Sequence, residues 1–160
     1  MHRKNLKILQ YRKKVFCRDI DITENDLYVK VWGPLLECIM RDEQDLRLKW
    51  GDSMGYSAEV ADGHDAFKVD VRVVRDIFSA RQSKKESDTG NVELSRKGAS
   101  ISKITDDKFK LLIESKCVLD RIMTTLDAQK AVVVPALQLK GLKAELSSLQ
   151  LAADSLYIYH

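Results

Sequence analysis

Ala66-Phe67-Lys68-Val69-Asp70-Val71-Arg72-Val73-Val74 is the stretch on which the fold turns. Its β-branched and aromatic side chains recur at every second residue, the period of a strand and not of a helix. Successive side chains of a strand point to opposite sides, so Phe67, Val69, Val71 and Val73 share one face and Lys68, Asp70 and Arg72 the other. Three charges at alternate positions of the most strand-like segment form the most informative pattern in the chain.

Toward the N-terminus, residues 51–65 are rich in Gly, Asp and Ser and predict a loop. Before it, Asp45-Leu46-Arg47-Leu48-Lys49-Trp50 alternates with period two and ends in the turn chemistry of Gly51-Asp52-Ser53, which predicts a first strand. Further upstream, Thr23-Glu24-Asn25-Asp26 resembles a capping box, and Leu27, Val31, Leu35 and Cys38 follow at helical spacing. A helix over 23–43 is implied, and Pro34 leaves two versions of it open. Either the helix kinks at Gly33-Pro34, or Tyr28–Trp32 is extended and the helix starts at Pro34; both keep Pro34–Arg41 helical.

Toward the C-terminus, residues 79–90 carry no large apolar side chain and predict a mobile, solvated loop before a short strand, Asn91–Ser95. Gly98 to Ser102 breaks that strand. Thr105-Asp106-Asp107 then supplies an N-cap and acidic first turn for a helix to about Asp127, with Leu112, Leu119, Ile122, Met123 and Leu126 on its apolar side. In the last segment Leu142, Leu146 and Leu149 fit a helix, whereas Leu137-Gln138-Leu139, Leu149-Gln150-Leu151 and Leu156-Tyr157-Ile158-Tyr159 alternate as strands. Gly141, Asp154-Ser155 and the aromatic ending favour strands. The expectation is a basic segment 1–22 followed by one α/β or α+β domain over 23–160, with a mixed sheet of four to five strands and two main helices in the order αβββαβ.

Composition excludes several classes of protein. With 160 residues, 44% apolar, 32% charged, two prolines and seven glycines, the chain is too apolar for a disordered one and too charged for a membrane one. The longest apolar run, Ala131 to Leu137, is far short of the roughly 20 residues a membrane helix needs. Met1-His2-Arg3-Lys4 is basic, but no apolar stretch follows it as in a signal peptide, so an intracellular location is expected. Cys17, Cys38 and Cys117 are widely spaced, and His2, His64 and His160 lie far apart, so neither a disulfide framework nor a zinc motif is indicated. Motifs for P-loop hydrolysis, dinucleotide binding and serine hydrolysis do not occur.

The formal charge of +3 averages two unlike regions. Residues 1–18 hold Arg3, Lys4, Lys7, Arg12, Lys13, Lys14 and Arg18 with no acid, which leaves the remainder with 20 basic against 24 acidic groups. Clustered cations gain from counterion release on a phosphate backbone, so this segment is a candidate DNA-contacting arm or nuclear-import patch; a solvated terminus has the same composition.

Taken in order, the elements place Glu37 on the first helix, Asp70 on the second strand and Glu93 on the third. This resembles the PD-(D/E)XK nuclease-like arrangement, in which an acid from the first helix, an aspartate from the second strand and the acid of an E-x-K on the third converge on a divalent metal. The stretches Val31-Trp32-Gly33-Pro34-Leu35-Leu36-Glu37, Leu48-Lys49-Trp50-Gly51-Asp52, Phe67-Lys68-Val69-Asp70-Val71-Arg72 and Ser155-Leu156-Tyr157 also resemble a lineage-expanded set of uncharacterised fungal proteins, which carries no assigned activity. The resemblance implies Mg²⁺ held by Glu37, Asp70 and Glu93, and DNA as substrate. Carboxylates on neighbouring strands suit that role, because they can share a hard cation that orients water and stabilises phosphoryl charge.

The lysine of E-x-K would fall at Ser95, so the motif departs from its pattern at its most diagnostic position. Arg96 would point away from Glu93 in a regular strand, which makes Lys68, on the face of Asp70, the better source of positive charge. Catalytic loss fits the same departure. Blander readings accompany each residue: Glu37 as an exposed helix residue, and Lys68, Asp70 and Arg72 as the polar face of an antiparallel strand. Asp62-Gly63-His64-Asp65 suits a turn as well as a cation, and Lys49-Trp50 and Tyr56 suit base stacking, with core or rim packing the plainer role for Trp50. A non-catalytic protein-interaction module, its apolar C-terminal segment docking a partner, is the alternative function.

Overall fold

The computed structural model describes residues 22–54, 68–78, 84–126, 132–153 and 156–160. They form an α+β fold of two helices and one six-stranded mixed sheet in the order αβββαβββ.

Helix α1 is assembled from three consecutive pieces: α-helical Glu24–Leu27, a π-helical turn Tyr28–Trp32, and α-helical Gly33–Met40. Thr23 caps it by accepting the Asp26 backbone N–H at 3.1 Å. The π turn accommodates Pro34, which lacks an N–H and whose ring would crowd the carbonyl four residues back in a regular α-helix. Gly33 donates its N–H to the Tyr28 carbonyl five residues back, and a Cβ at Gly33 would lie 2.8 Å from that oxygen. The helix is therefore continuous, neither extended over Tyr28–Trp32 nor begun at Pro34. Its buried stripe steps from Val31 and Trp32 to Leu36, while Leu35 is only half-buried.

Strands β1 (Leu46–Met54), β2 (Lys68–Phe78) and β3 (Lys84–Ser95) pair antiparallel in sequence order. Helix α2 (Ile101–Leu126) then carries the chain across to β4 (Val133–Lys140), which runs parallel to β3, as a helical crossover permits. Strands β5 (Lys143–Ala153) and β6 (Leu156–Tyr159) complete the sheet antiparallel, in the order β1-β2-β3-β4-β5-β6. Gly141, at φ 60°, opens the two-residue turn joining β4 to β5. The last segment is thus strand, and the sheet has six strands in place of the four to five expected.

Two boundaries differ from the sequence reading. Strand β3 starts at Lys84, inside the stretch expected to be loop, because its acids find cations across the sheet instead of an apolar partner. Glu86 accepts from Lys49 at 2.9 Å and pairs with Arg47, and Asp88 accepts from Arg72 Nε at 2.7 Å. Helix α2 starts at Ile101 and not at Thr105, with Ser100 Oγ accepting the Lys103 N–H at 3.1 Å.

Both faces of the sheet are covered. Leu27, Val31, Trp32 and Leu36 of α1 pack with Val71, Val92, Leu94 and Leu139 on one side. The second half of α2, with Val118 and Leu119, packs with Val134 and Leu149 on the other. No described helix is long and apolar enough to cross a membrane.

Candidate functional site

The polar face of β2 predicted from the sequence passes from solvent into the interior: Lys68 is exposed, Asp70 half-buried and Arg72 buried. Antiparallel register sets Val71 opposite Val92, so the next pair along is Asp70 beside Glu93. This pair lies where β2 begins and β3 ends, under the first half of α2. Glu93 is 2% exposed, and its Oε1 is 2.7 Å from Lys110 Nζ of α2. Asp70 is half-buried, and its Oδ2 accepts the Leu94 backbone N–H at 2.8 Å.

Burial is the largest influence on the Glu93 carboxyl, followed by the charge of Asp70; together they push its pKa up to about 8 against the opposing pull of Lys110. Two acids this close favour a state in which one holds a proton, as paired carboxyls do. A third acid joins from α1: burial, then the charge of Asp70, raises the Glu24 carboxyl, which also accepts the Arg96 backbone N–H. Tyr28, one helical turn beyond Glu24, has a buried hydroxyl near Asp70, and burial, then Asp70, push that phenol well above its ordinary value.

Ser95, where E-x-K would have lysine, donates to Asp107 Oδ2 of α2 at 2.6 Å, and Lys103 donates to Asp107 Oδ1 at 2.6 Å. The cation reaching Glu93 is therefore Lys110. Lys68, expected to assist, stands exposed at the first position of β2. Glu37, expected as the helix-borne ligand, is also exposed and accepts the Trp50 indole N–H at 2.6 Å. Asp70 and Glu93 are brought together as expected, whereas the helix acid near them is Glu24, read from the sequence only as part of a capping box. Lys110 had no signal in sequence, since its spacing from Glu93 means nothing until the start of α2 is fixed.

A cleft of about 530 Å³ opens beside this pair, lined by Glu24, Tyr28, Gly33, Trp50, Gly51 and Asp70 among others. Among the described residues no three or more His, Cys, Asp or Glu side chains are gathered closely enough to hold a metal by themselves. Two adjacent carboxyls nevertheless fit Mg²⁺, which is commonly bound through one or two carboxylates, with water and substrate phosphate filling its remaining positions. Because burial and Asp70 raise the Glu93 pKa, a divalent cation bound there would displace a proton. Arg3, Lys4, Lys7, Arg12, Lys13 and Lys14, and likewise Tyr56 and Asp62-Gly63-His64-Asp65, lie outside the described residues.

No protein-family profile, curated protein or solved structure matches the chain.

Proposed function

We propose that this domain is a PD-(D/E)XK-like, divalent-cation-dependent phosphodiesterase acting on nucleic acid. The observation that carries the reading is the pair of buried Glu93 and half-buried Asp70 on neighbouring strands, with Lys110 2.7 Å from Glu93 and an open cleft at Asp70. Asp70 and Glu93 are the ligands, and Glu24 stands as the helix acid in place of Glu37. A bound Mg²⁺ would supply Lewis acidity toward a phosphodiester oxygen and lower the pKa of a bound water.

The chain's own groups have distinct tasks. The Leu94 N–H fixes the Asp70 carboxylate, and Asp70 lines the cleft. Lys110 offsets the charge of Glu93 once its proton is lost, the task that the E-x-K lysine would have from the adjacent strand position. Ser95 instead ties the end of β3 to Asp107 of α2. The basic residues Arg3, Lys4, Lys7, Arg12, Lys13 and Lys14 are proposed to add sequence-independent phosphate contacts, giving binding a steep salt dependence.

The test is cleavage of plasmid and of single-stranded DNA with Mg²⁺ or Mn²⁺. The wild-type protein is expected to cleave, and D70N to fall by at least about a hundredfold, in the range for losing a key electrostatic group. Equal activity in D70N, or none in wild type with either metal, overturns the reading.

A second reading, a protein-interaction module, is favoured by one observation. An apolar groove of about 590 Å³ lies on the α1 side of the sheet, lined by Leu36, Ile39, Leu48, Val73, Leu137 and Leu146, of which Ile39 and Leu146 are 60% and 72% exposed among the described residues.

A further inference from the structure

We infer that the cleft beside Asp70 takes one unpaired nucleobase of a single strand, held against the aromatic wall made by Trp50 and Tyr28. The inference rests on the phosphodiesterase reading and adds the class of substrate to it.

The wall is built, and its parts are held in place. Trp50 and Tyr28 meet edge to face, with ring centroids 5.8 Å apart and planes at 87°. The Trp50 indole is also pinned at its nitrogen, which donates to Glu37 Oε1 at 2.6 Å. Glu37 is thereby a positioning residue for the indole. A rigid, oriented ring loses little entropy when a base stacks on it.

The wall is also open. Beside Trp50, the β1 register shifts between Trp50 and Ser53, and Gly51 sits there at φ 90°. Gly51 lines the cleft together with the indole and adds no side chain to it. Across the cleft stand Tyr28, the first residue of the π turn, and Gly33, whose N–H closes that turn on the Tyr28 carbonyl. The volume of about 530 Å³ suits one nucleotide and not a duplex.

Chemistry sets the direction of the bound strand. Glu24 and Asp70 line the same cleft and repel phosphate unless a divalent cation intervenes. A base against Trp50 with its neighbouring phosphate toward Asp70 satisfies both ends. Duplex DNA hides its base faces in the stack, so it offers nothing to the aromatic wall unless a base is extruded, which costs unstacking energy.

The experiment uses the full chain, with Ca²⁺ replacing Mg²⁺ so that binding is read apart from cleavage. The chain has two tryptophans, and the other, Trp32, is 7% exposed with its indole bonded to the Gly141 carbonyl at 2.8 Å. Quenching of the intrinsic fluorescence by a stacked base therefore reports Trp50. Single-stranded oligodeoxyadenylate is expected to quench it, while the same strand annealed to its complement quenches it far less. Labelled-strand anisotropy should show W50A binding about five- to a hundredfold more weakly, the range for one lost base-stacking contact. W50F should retain most of the binding, and E37A should weaken it less than W50A does. Should W50A fail to fold, W50F and E37A still rank the aromatic face against its orientation.

Equal binding of single strand and duplex, or unchanged binding by folded W50A or by E37A, overturns the inference. Calorimetry of the metal alone keeps the two claims apart. Metal binding lost in D70N but without quenching leaves the phosphodiesterase reading standing and removes the nucleobase site, whereas absence of both removes the two together.

Discussion

Against α1 the sheet presents Val71, Val92, Leu94 and Leu139, whereas against the first half of α2 it presents Arg72, Asn91, Glu93, Ser95 and Gln138. Every one of these residues is buried, yet the first set is apolar and the second polar. Burial of the apolar set is favourable by roughly 25 cal/mol per Å² removed from water. Burial of the polar set is costly unless each group is bonded, and for charges it remains costly even when paired. A domain needing only stability would fill both faces alike. The polar groups kept under α2 include Glu93, the neighbour of Asp70 at the cleft, and this is the contrast on which the proposed site rests.

The comparison can be broken at its strongest points first. Arg72→Met removes the guanidinium from buried Asp88, whose carboxylate accepts from Arg72 Nε at 2.7 Å. A cost of about 3–5 kcal/mol is expected in denaturant unfolding, since one partner of a buried ion pair is left behind. On the opposite face, Leu94→Ala empties a site 1% exposed and should cost about 2–5 kcal/mol. If R72M proves as mild as a surface change, the polar face is not the charged interior described.

The pH dependence separates the two faces next. The Glu93 pKa is raised from 4.5 to about 8, so between those values the folded state binds more protons than the unfolded one. Stability conferred by protonated Glu93 is complete below pH about 4.5 and is lost as pH rises toward 8. E93Q should remove that loss, on the order of a few kcal/mol, in unfolding curves recorded with EDTA across pH 5 to 9. Leu94→Ala should leave the slope with pH unchanged. Lys110→Met is expected to move the Glu93 titration upward in carboxyl NMR, because Lys110 opposes the rise. The smallest effect belongs to the surface: Lys116→Ala, losing an exposed pair with Asp120 at 2.6 Å, should change stability by less than about 1 kcal/mol.

How much of this was legible in the sequence follows from the range of each signal. Alternation in β2 is local, so the strand and its two faces could be read from it, whereas the Asp70–Glu93 pair was implied only by the family resemblance. The strand preference of the C-terminal segment was also local. Glu37 came from the family resemblance and not from local patterning; the π turn over Tyr28–Trp32 advances the helix by an extra residue per turn, which a regular 3.6-residue period does not anticipate. That shift puts Leu36 where Leu35 was expected to be buried and turns Glu37 toward Trp50. Lys110 was hidden because its approach to Glu93 depends on how α2 crosses the sheet, a tertiary fact. For the same reason the Lys84–Gly90 part of β3 looked like loop, since its pairing is stabilised by Arg47, Lys49 and Arg72 on other strands.

The central claim is that Asp70 and Glu93 form one divalent-cation site that exchanges a proton for metal. Titration calorimetry of Mg²⁺ and Mn²⁺ near pH 7, in two buffers of different ionisation enthalpy, measures it directly. The expected result is binding that releases close to one proton, strengthens as pH rises toward 8, and disappears in D70N and E93Q. Absence of binding, or binding that both variants retain without proton release, contradicts it.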